Sequence, residues 1–521
     1  MTTHDAPVSV HPRGLFGHPQ GLMTLFFTEM WERFSYYGMR AILTLFMVAP
    51  LAAGGLGFDA RTAGSVYALY TSLVYLAAMP GGWLADNLLG QRRSVFLGGV
   101  VIMIGHILLA MHGLPFFYGG LACVVVGTGL LKPNISAIVG QLYEPGDVRR
   151  DAGFSIFYMG INLGAFISPL VCGWLAQSET FRGMLQGWGI SPESSWHWGF
   201  GAAAVGMFFG LVQYVATGRS LGRAGLEPPG GVTPERRALA RRTLQRGGLL
   251  AGLGLAAAVV LALAAPRLMT PENISNVFGV LLLVLVVVFF LRLFRSDDWT
   301  DAERKRLRLI LALFLGAAVF WGLFEQAGST LTLFADRSTD NAIFGFVFPS
   351  SWWQSVNAVL IIGLAPLFAW FWVILGKRNP SSPAKFAIGL VFAGLGFLVL
   401  VGGAMVAGED GKAGVGWLLT VYLLHTIGEL WLSPVGLSSM TKLAPARVVG
   451  LMMGVWFLAT SVGNFVAGKV ASFYEDLELT TLLTVVGFTG IGAGLVMALL
   501  VRPIRRMLQG REELLPADSQ Q

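Results

Sequence analysis

The sequence predicts an all-α membrane protein of two six-helix bundles, with a two-helix hairpin inserted between them. Of its 521 residues, 55% are hydrophobic and only 12% are charged, about half the charged share of a soluble protein. The mean hydropathy is +0.66. Fourteen apolar runs are long enough to cross a bilayer, and the charged residues deep within these runs fall in the first six and the last six. This 6 + 2 + 6 layout is typical of a transporter built from repeats around a midplane site.

The predicted transmembrane helices follow directly from hydropathy, with ends defined to within a few residues. The fourteen spans are 22–49, 62–86, 94–113, 115–140, 152–177, 196–217, 247–265, 274–294, 308–334, 350–376, 384–407, 414–440, 448–474 and 479–502.

The basic residues predict the orientation of these spans. If the N-terminus lies inside, 27 of the 36 lysines and arginines fall in inner loops, in the tails or at the inner ends of the spans. The positive-inside rule therefore places both termini in the cytoplasm of a multi-pass protein of the cell (inner) membrane. Residues 1–20 are polar and lack a signal-peptide core, so we expect the first span to direct insertion. The net charge of +7 thus reflects topology and does not indicate a nucleic-acid partner.

Composition shifts along the chain predict six segments. The two middle spans are apolar all round and are expected to face lipid. The segments are an N-terminal tail (1–21), a first bundle (22–217), a basic cytoplasmic linker (218–246), the inserted hairpin (247–294), a second bundle (295–502) and a C-terminal tail (503–521).

A charged stripe runs along the first span. Glu29, Glu32, Arg33, Tyr36 and Arg40 share one face of a helix, because the last four follow Glu29 by 3, 4, 7 and 11 residues. Each charged side chain at the bilayer centre costs about 2.5–3.5 kcal/mol of insertion free energy. The side chains of the stripe therefore need to face a water-filled interior of the protein. A cytosolic amphipathic helix is the alternative, but the opposite face is strongly apolar. We expect the stripe to face a central cavity.

Two acid–base pairs are predicted from depth along the spans. Arg40 and Glu325 both lie about 25–27 Å from the inner face, near the outer end of the cavity. Lys132 and Glu429 lie at matching depths in opposite halves. Because an unpaired charge is costly in a low dielectric, pairs that form only when one end closes would act as gates.

The carboxylates of the first span are the candidates for binding a transported proton. Glu29 and Glu32 are expected close to Arg33 and Lys132, and two carboxylates that share a dry pocket favour binding of a proton. A purely structural ion-pair cluster is the alternative reading.

Other polar groups inside the spans are weaker candidates. Taken singly, each fits an interhelical packing role as well as a ligand contact; they are Tyr36, Tyr37, Tyr75, Asn162, Trp321, Asn357 and Trp456. His425, one turn before Glu429, fits a packing role or a proton relay. Cys123 and Cys172 are expected to be free, buried thiols. The sequence offers no metal-ligand cluster and no nucleophile–histidine–acid set, so we expect neither an enzyme nor a cofactor.

Several longer motifs carry a family resemblance over essentially the whole chain. They resemble the proton-dependent oligopeptide transporter family, the peptide transporter branch of the major facilitator superfamily, and the inserted hairpin is similar to that of bacterial members. The motifs are Glu29-x-x-Glu32-Arg33-Phe-x-Tyr36-Tyr37, Gly129-Leu-Leu-Lys132-Pro133-Asn134, Ser155-Ile-Phe-Tyr158-Met-Gly-Ile-Asn162, Phe320-Trp321-x-x-Phe324-Glu325-Gln326 and Gly428-Glu429-x-x-Leu432-Ser433-Pro434.

The resemblance implies a major facilitator fold and a role for each candidate residue. Arg33 and Lys132 would receive a peptide carboxylate, and Glu429 with Asn162 and Asn357 would receive the amino terminus. Tyr36, Tyr37 and Tyr75 would line the pocket, while Trp321 and Trp456 would flank the side-chain space. Glu29, Glu32 and Glu325, with Arg33 beside them, would couple protons, and Arg40–Glu325 and Lys132–Glu429 would be the gate pairs.

One position departs from the family pattern. Animal members use a histidine in the second span for proton coupling, and the corresponding residue here is Ala68. Proton handling would then depend on the carboxylates alone.

The expected function is proton-coupled symport of di- and tripeptides into the cytoplasm by alternating access, driven by the proton gradient. The alternative is a proton-coupled carrier of another small anion or drug, either nitrate-like or peptidomimetic. The expected partners are peptides, protons and membrane lipids, with function as a monomer and no nucleic acid.

Overall fold

The computed structural model describes residues 14, 17–144, 146–228, 233–295, 299–408, 411–445, 448 and 451–512. This part of the chain is mainly helical, with an isolated bridge between Thr339 and Ala413 and one two-stranded hairpin, in which β1 (Ala342–Ile343) pairs antiparallel with β2 (Phe346–Val347). The turn between the strands uses Phe344 at φ 51° and Gly345 at φ 83°, which is the left-handed geometry that tight hairpins require.

Contacts divide the chain into two compact units, Met1–Ile42 with Ala77–Pro266 and Leu43–Leu76 with Arg267–Gln521. The helices that lie in the first unit, with α1 continuing six residues past its edge, are α1 (Gly21–Val48), α3 (Ala78–Leu84), α4 (Gln91–Leu109), α5 (Leu114–Gln141), α6 (Arg150–Gln177), α7 (Glu179–Gly187), α8 (Ser195–Thr217) and α9 (Pro234–Ala264).

The second unit contains the remaining helices. They are α2 (Ala60–Leu76), α10 (Pro271–Arg295), α11 (Asp301–Phe324), α12 (Thr330–Arg337), α13 (Gln354–Leu375), α14 (Ser382–Ala407), α15 (Val415–Leu443), α16 (Met452–Ala471) and α17 (Leu479–Glu512). Helix α2, assigned from the sequence to the first bundle, thus clusters with the second unit. The six segment boundaries given above stay a prediction.

Twelve helical stretches among the described residues are long and apolar enough to cross a membrane. Helices α1 and α16, of 28 and 20 residues, coincide with two further predicted spans. The helical membrane architecture is therefore confirmed, and the count of fourteen spans stays a prediction.

The second predicted span, 62–86, is not one continuous helix. Helix α2 ends at Leu76, α3 follows from Ala78, and a π-helical turn covers Ala85–Leu89. Pro80 lies in the first turn of α3. Because proline has no backbone N–H, it cannot donate to the carbonyl of Leu76, and the helix breaks there.

The predicted span 308–334 is also interrupted. Helix α11 ends at Phe324, a 3₁₀ turn covers Glu325–Gly328, and Ser329 has the non-helical angles φ −134° and ψ −93° before α12. Side chains satisfy the released carbonyls: the Thr332 hydroxyl donates to Ala327 at 2.7 Å, and the Thr44 hydroxyl donates to Gly328 at 2.7 Å.

The inserted hairpin differs from its prediction in two ways. Helix α9 begins at Pro234, thirteen residues before the predicted start, because proline suits a first helical position and the Arg, Leu and Ala residues that follow are good helix formers. Helix α10 is not lipid-facing all round. Phe278 contacts Phe465 of α16 with ring centroids 5.7 Å apart, and Lys469 donates to Asn276 at 2.9 Å.

Small residues bring α2 and α16 into close contact within the second unit. A Cβ added to Gly468 would lie 2.4 Å from the backbone nitrogen of Ala68, and one added to Gly64 would lie 2.5 Å from the nitrogen of Ser472. Ser72 and Ser461 exchange a hydroxyl contact of 2.8 Å across the same seam. Tight backbone approach of this kind is how helices associate in a membrane.

In the first unit, the loop between α5 and α6 contacts the residues that precede α1. Arg149 donates to Asp147 at 2.7 Å and to the Gly17 carbonyl at 2.7 Å. These hydrogen bonds from Arg149 lower the pKa of Asp147 to about 2. The hydroxyl of Tyr143 lies 2.9 Å from His18 Nδ1. The entry to α1 is therefore fixed by polar contacts outside the membrane-spanning segment.

We expect Gly468→Ala to lower the thermal unfolding midpoint of the purified protein. The new methyl group would meet the Ala68 backbone, and overpacking typically costs about 1–3 kcal/mol. Gly492→Ala in α17 is the matched control, since no atom of the described part of the chain lies within 4 Å of its added Cβ. Its better helix propensity should leave the midpoint equal or higher. Equal midpoints for the two variants would contradict the tight α2–α16 seam.

Candidate functional site

The charged stripe of α1 forms a buried ion cluster in the first unit. The side chains of Glu29, Glu32 and Arg33 are only 4%, 0% and 3% exposed. Arg33 Nε lies 3.2 Å from a Glu29 oxygen and makes a close contact with Glu32. One arginine thus serves two carboxylates, as the sequence predicted.

This cluster has hydrogen-bonding capacity left over. Among the described residues, Glu29 Oε2, Glu32 Oε1 and Arg33 Nη2 are buried without a hydrogen-bond partner. Orphaned buried polar atoms are uncommon and mark sites that bind water, protons or ligands. The cluster is therefore a place where an additional polar group can be accepted.

Aromatic rings surround the basic end of the cluster. The Arg33 guanidinium lies 5.2 Å from the ring centre of Tyr36 and 5.9 Å from that of Tyr37. The two tyrosines meet edge to face at 5.3 Å. Arg40 follows Tyr36 by one turn of α1 and is 5% exposed. Its guanidinium carbon lies 5.8 Å from the ring centre of Tyr37. Cation–π contacts with desolvated arginine are worth about 2 kcal/mol and hold both guanidinium groups on this face.

Glycines of α6 let the backbone approach α1 beside the cluster. A Cβ at Gly164 would lie 2.3 Å from the Met30 carbonyl oxygen and 3.1 Å from Arg33 Cβ. Asn162 lies between Gly160 and Gly164, is 7% exposed, and donates to the carbonyl of Tyr158 at 3.0 Å. The sequence analysis missed this packing role of the glycines, although their spacing of four residues was the available signal.

Lys132 supplies the second cation of the first unit. It lies half-buried on α5, immediately before Pro133 within the helix. Its charge acts on Glu29, so the two residues are electrostatic neighbours within the first unit. Two carboxylates and two cations therefore share this region, so the cluster is balanced in charge.

Glu429 on α15 is the buried carboxylate of the second unit. It is 9% exposed and accepts a hydrogen bond of 3.1 Å from the Asn357 amide. The same amide donates to the hydroxyl of Thr426 at 3.0 Å. Thr426 was not predicted from the sequence, although it lies one turn before Glu429 on the same face.

His425 has the contacts of a helix-packing residue. Its Nε2 lies 3.1 Å from the Ala393 carbonyl oxygen, and its ring packs against Phe397 with centroids 5.1 Å apart. The side chain is 2% exposed. These contacts favour packing over the proton relay that the sequence left open.

Tryptophans line the second unit near α11. Trp321 and Trp456 meet edge to face at 6.2 Å. Gly463 and Gly436 make room for them, because a Cβ at Gly463 would lie 2.5 Å from Trp321 Cβ and one at Gly436 would lie 2.3 Å from the Trp456 ring. Within the described residues, the buried Trp321 Nε1 has no hydrogen-bond partner.

Glu325 lies at the break between α11 and α12 and is 5% exposed. Its charge acts on Glu429, so these two carboxylates are electrostatic neighbours within the second unit. Tyr75, on α2, is half-buried in the same unit. Arg40 and Lys132 belong to the first unit and Glu325 and Glu429 to the second, so both gate pairs stay predictions.

Ala68 fills the position where the family resemblance implied a histidine in animal members. It is fully buried against Gly468 at the α2–α16 seam. An imidazole there would need α16 to move away. The structure thus gives a packing reason for the small residue.

No metal centre is evident in the described part of the chain. No group of three or more potential His, Cys, Asp or Glu ligands occurs among those residues. Cys172 is buried beside Gly38, Cys123 is half-buried, and both are free thiols.

Comparison with known proteins decides the family. The sequence profile of the POT family matches residues 92–486. The chain belongs to the POT family. It is 39% identical over 520 residues to the peptide transporter YePEPT of Yersinia enterocolitica, a match that covers 96% of this chain and 97% of that protein.

Two further similarities cover nearly the whole chain. A di-/tripeptide transporter of Lactococcus lactis subsp. cremoris is 36% identical over 501 residues, covering 95% of this chain and 97% of the relative. The crystal structure of a peptide transporter POT in complex with sulfate aligns with a TM-score of 0.87 at 43% identity, covering 96% and 98% of the two chains. This POT family member therefore has the major facilitator fold and is a multi-pass membrane transporter rather than an enzyme.

We expect Arg33→Met to destabilise this POT family member strongly at neutral pH. Removing one partner of a buried pair typically costs about 3–5 kcal/mol, and here two buried carboxylates would lose their shared cation. Arg61→Met is the matched control, because the side chain of Arg61 is 48% exposed in its ion pair with Asp476. Exposed pairs contribute about 0–1 kcal/mol.

Thermal unfolding of the purified variants measures both effects. Adding Glu32→Gln to Arg33→Met should recover part of the loss, since it removes one uncompensated charge. Similar midpoints for Arg33→Met and Arg61→Met would show that the cluster is not an energetically buried ion group.

Proposed function

We propose that this protein is a proton-coupled symporter that imports di- and tripeptides by alternating access. One observation carries the proposal: a buried guanidinium with an unpaired nitrogen lies in one unit, and a buried carboxylate–amide pair lies in the other. A fixed cation and a fixed anion, each held by its own unit, match the two charged ends of a short zwitterionic peptide. The names of the relatives support this substrate class.

The first unit would bind the peptide carboxylate. Arg33 is suited to this because its planar guanidinium pairs with carboxylates through two parallel hydrogen bonds. Lys132 adds a second positive charge. Tyr36 and Tyr37 would line the carboxylate end, since their rings contact the guanidinium.

The second unit would bind the peptide amino terminus. Glu429 provides the negative charge, and Asn357 orients the carboxylate through a 3.1 Å hydrogen bond. We assign Asn162 and Tyr75 to the surrounding pocket as predicted from the family resemblance. Trp321 and Trp456 would flank the peptide side chains, and the Trp321 Nε1–H offers a donor to a peptide carbonyl.

Proton coupling would arise from competition for Arg33. Glu29 and Glu32 already occupy its Nε, so a substrate carboxylate meets a guanidinium that is partly neutralised. Protonation of one of these carboxylates releases donor capacity toward the substrate. Proton and peptide would therefore bind with positive linkage. Glu325, placed at a helix break close to Glu429, would be the corresponding proton site of the second unit.

Two ion pairs would alternate as gates. Arg40 with Glu325 would close the outer end, and Lys132 with Glu429 would close the inner end. Each attraction strengthens as water leaves the closing interface, and each weakens when its carboxylate is protonated. We place both termini in the cytoplasm of the inner membrane and expect a functional monomer that needs no cofactor.

Uptake into proteoliposomes tests the substrate class. With an imposed inward proton gradient, labelled dialanine should accumulate above its outside concentration and saturate. Unlabelled di- and tripeptides should compete, whereas nitrate should not. Competition by nitrate or by peptidomimetics alone would favour the other carrier function, and flux without saturation would indicate a channel.

Glu32→Gln separates coupling from binding. The amide cannot carry the coupled proton, so gradient-driven accumulation should fall to the background, while peptide counterflow without a gradient should persist. Glu179→Gln, at a side chain that is 86% exposed in the α7 turn, is the matched control and should accumulate peptide normally. Uphill uptake that survives in Glu32→Gln would remove this residue from the coupling mechanism.

A further inference from the structure

Helix α9 consists of two chemically different halves. Residues 247–264 are apolar, and Leu249, Leu250 and Leu253 are 64%, 70% and 59% exposed. These eighteen residues span about 27 Å, close to the thickness of the bilayer hydrocarbon. The preceding half, from Pro234 to Arg246, therefore lies outside the hydrocarbon layer. Arg246 is at the level of the lipid headgroups, and Pro234 is farthest from the membrane.

The first half of α9 carries a groove that is rich in arginine. The groove has a volume of about 510 Å³, and the described residues that line it are Pro234, Arg237, Ala238, Arg241 and Gln245. These residues share one face of the helix. Arg237 and Arg241 lie one turn apart, about 6 Å along the axis.

The protein holds this helix in place from another side. Ala240 is 3% exposed, and α9 packs against the π-helical turn Ala85–Leu89 of the same unit. Two acidic residues are near this region: Glu235 lies in α9 itself, and Asp86 lies in the π-helical turn that packs against α9. They are outnumbered by exposed arginines of α9, so the helix presents a net positive surface.

We propose that this groove binds the phosphate headgroup of an acidic glycerophospholipid from the cytoplasmic leaflet. Two guanidinium groups on one helical turn give bidentate donors to phosphate oxygens, which ammonium groups do not provide. Val259 and Leu263, 51% and 81% exposed, lie five helical turns after Arg241 and Gln245 and so continue the face of the groove into the hydrocarbon layer. An acyl chain of the same lipid can lie along them, so the surface fits an amphipathic ligand better than a free phosphate ion.

The proposal gives α9, the first helix of the inserted hairpin, a role as a lipid-anchored element of the first unit. It rests on the cytoplasmic side assigned to this segment under the proposed function, where anionic lipids attract basic residues next to a membrane helix. It does not depend on the identity of the transported substrate, because lipid binding is measured without transport.

Two double variants of the full-length protein test the groove. Arg237→Gln/Arg241→Gln removes the lining pair, and Arg242→Gln/Arg246→Gln removes the same charge from exposed positions that do not line it. Binding of phosphatidylglycerol and phosphatidylcholine to the detergent-purified protein is titrated by native mass spectrometry. All four side chains are exposed, so the substitutions should leave folding intact.

We expect the lining variant to weaken phosphatidylglycerol binding by at least about tenfold, and the matched control by less than about threefold. Phosphatidylcholine binding should not change. Equal losses in the two variants would show a diffuse positive surface and overturn the groove, as would an unchanged lining variant. Displacement of phosphatidylglycerol by millimolar inorganic phosphate would identify a free-anion site and overturn the lipid assignment.

Discussion

The burial of a charged cluster on α1 is the constraint on which the rest of the first unit depends. Glu29, Glu32 and Arg33 are almost completely removed from water, with the charge of Lys132 acting on the same group. Such groups remain ionised in a membrane only if they compensate one another. The helices that surround α1 must therefore approach closely enough to exclude lipid, which glycines such as Gly160 and Gly164 allow.

The second unit also buries charged groups within the membrane-spanning region. Among the described residues of this unit, Glu429 accepts a hydrogen bond from the amide of Asn357, and no ion pair to it is formed. Glu325 lies where α11 gives way to a 3₁₀ turn, and irregular backbone at membrane depth is characteristic of transporter binding sites. The two units thus differ in chemistry: the first holds a guanidinium with remaining donor capacity, the second presents carboxylates, and this asymmetry suits a substrate with opposite charges at its ends.

The hairpin of α9 and α10 shows how a segment that looks uniform in hydropathy can differ along its length. The predicted lipid-facing character holds for the second half of α9, whose leucines are exposed. It does not hold for α10, which packs against α16 through Phe278 and Phe465. Hydropathy alone cannot separate these cases, because a lipid-facing leucine and a packed leucine have the same transfer free energy.

The sequence by itself determined the fold class, the approximate spans and the residues of the charged stripe, because bilayer thickness and the cost of buried charge act on local patterns. It also predicted that Glu29 and Glu32 share Arg33, since the spacing along one helix fixes that proximity. Only the tertiary structure decided that the Asn357 amide donates to the hydroxyl of Thr426 and that Gly468 packs against Ala68. It also decided that α11 gives way to a 3₁₀ turn at Glu325. These features depend on which helices meet and at what distance, and contacts between residues far apart in the chain leave no periodic signal in a single sequence.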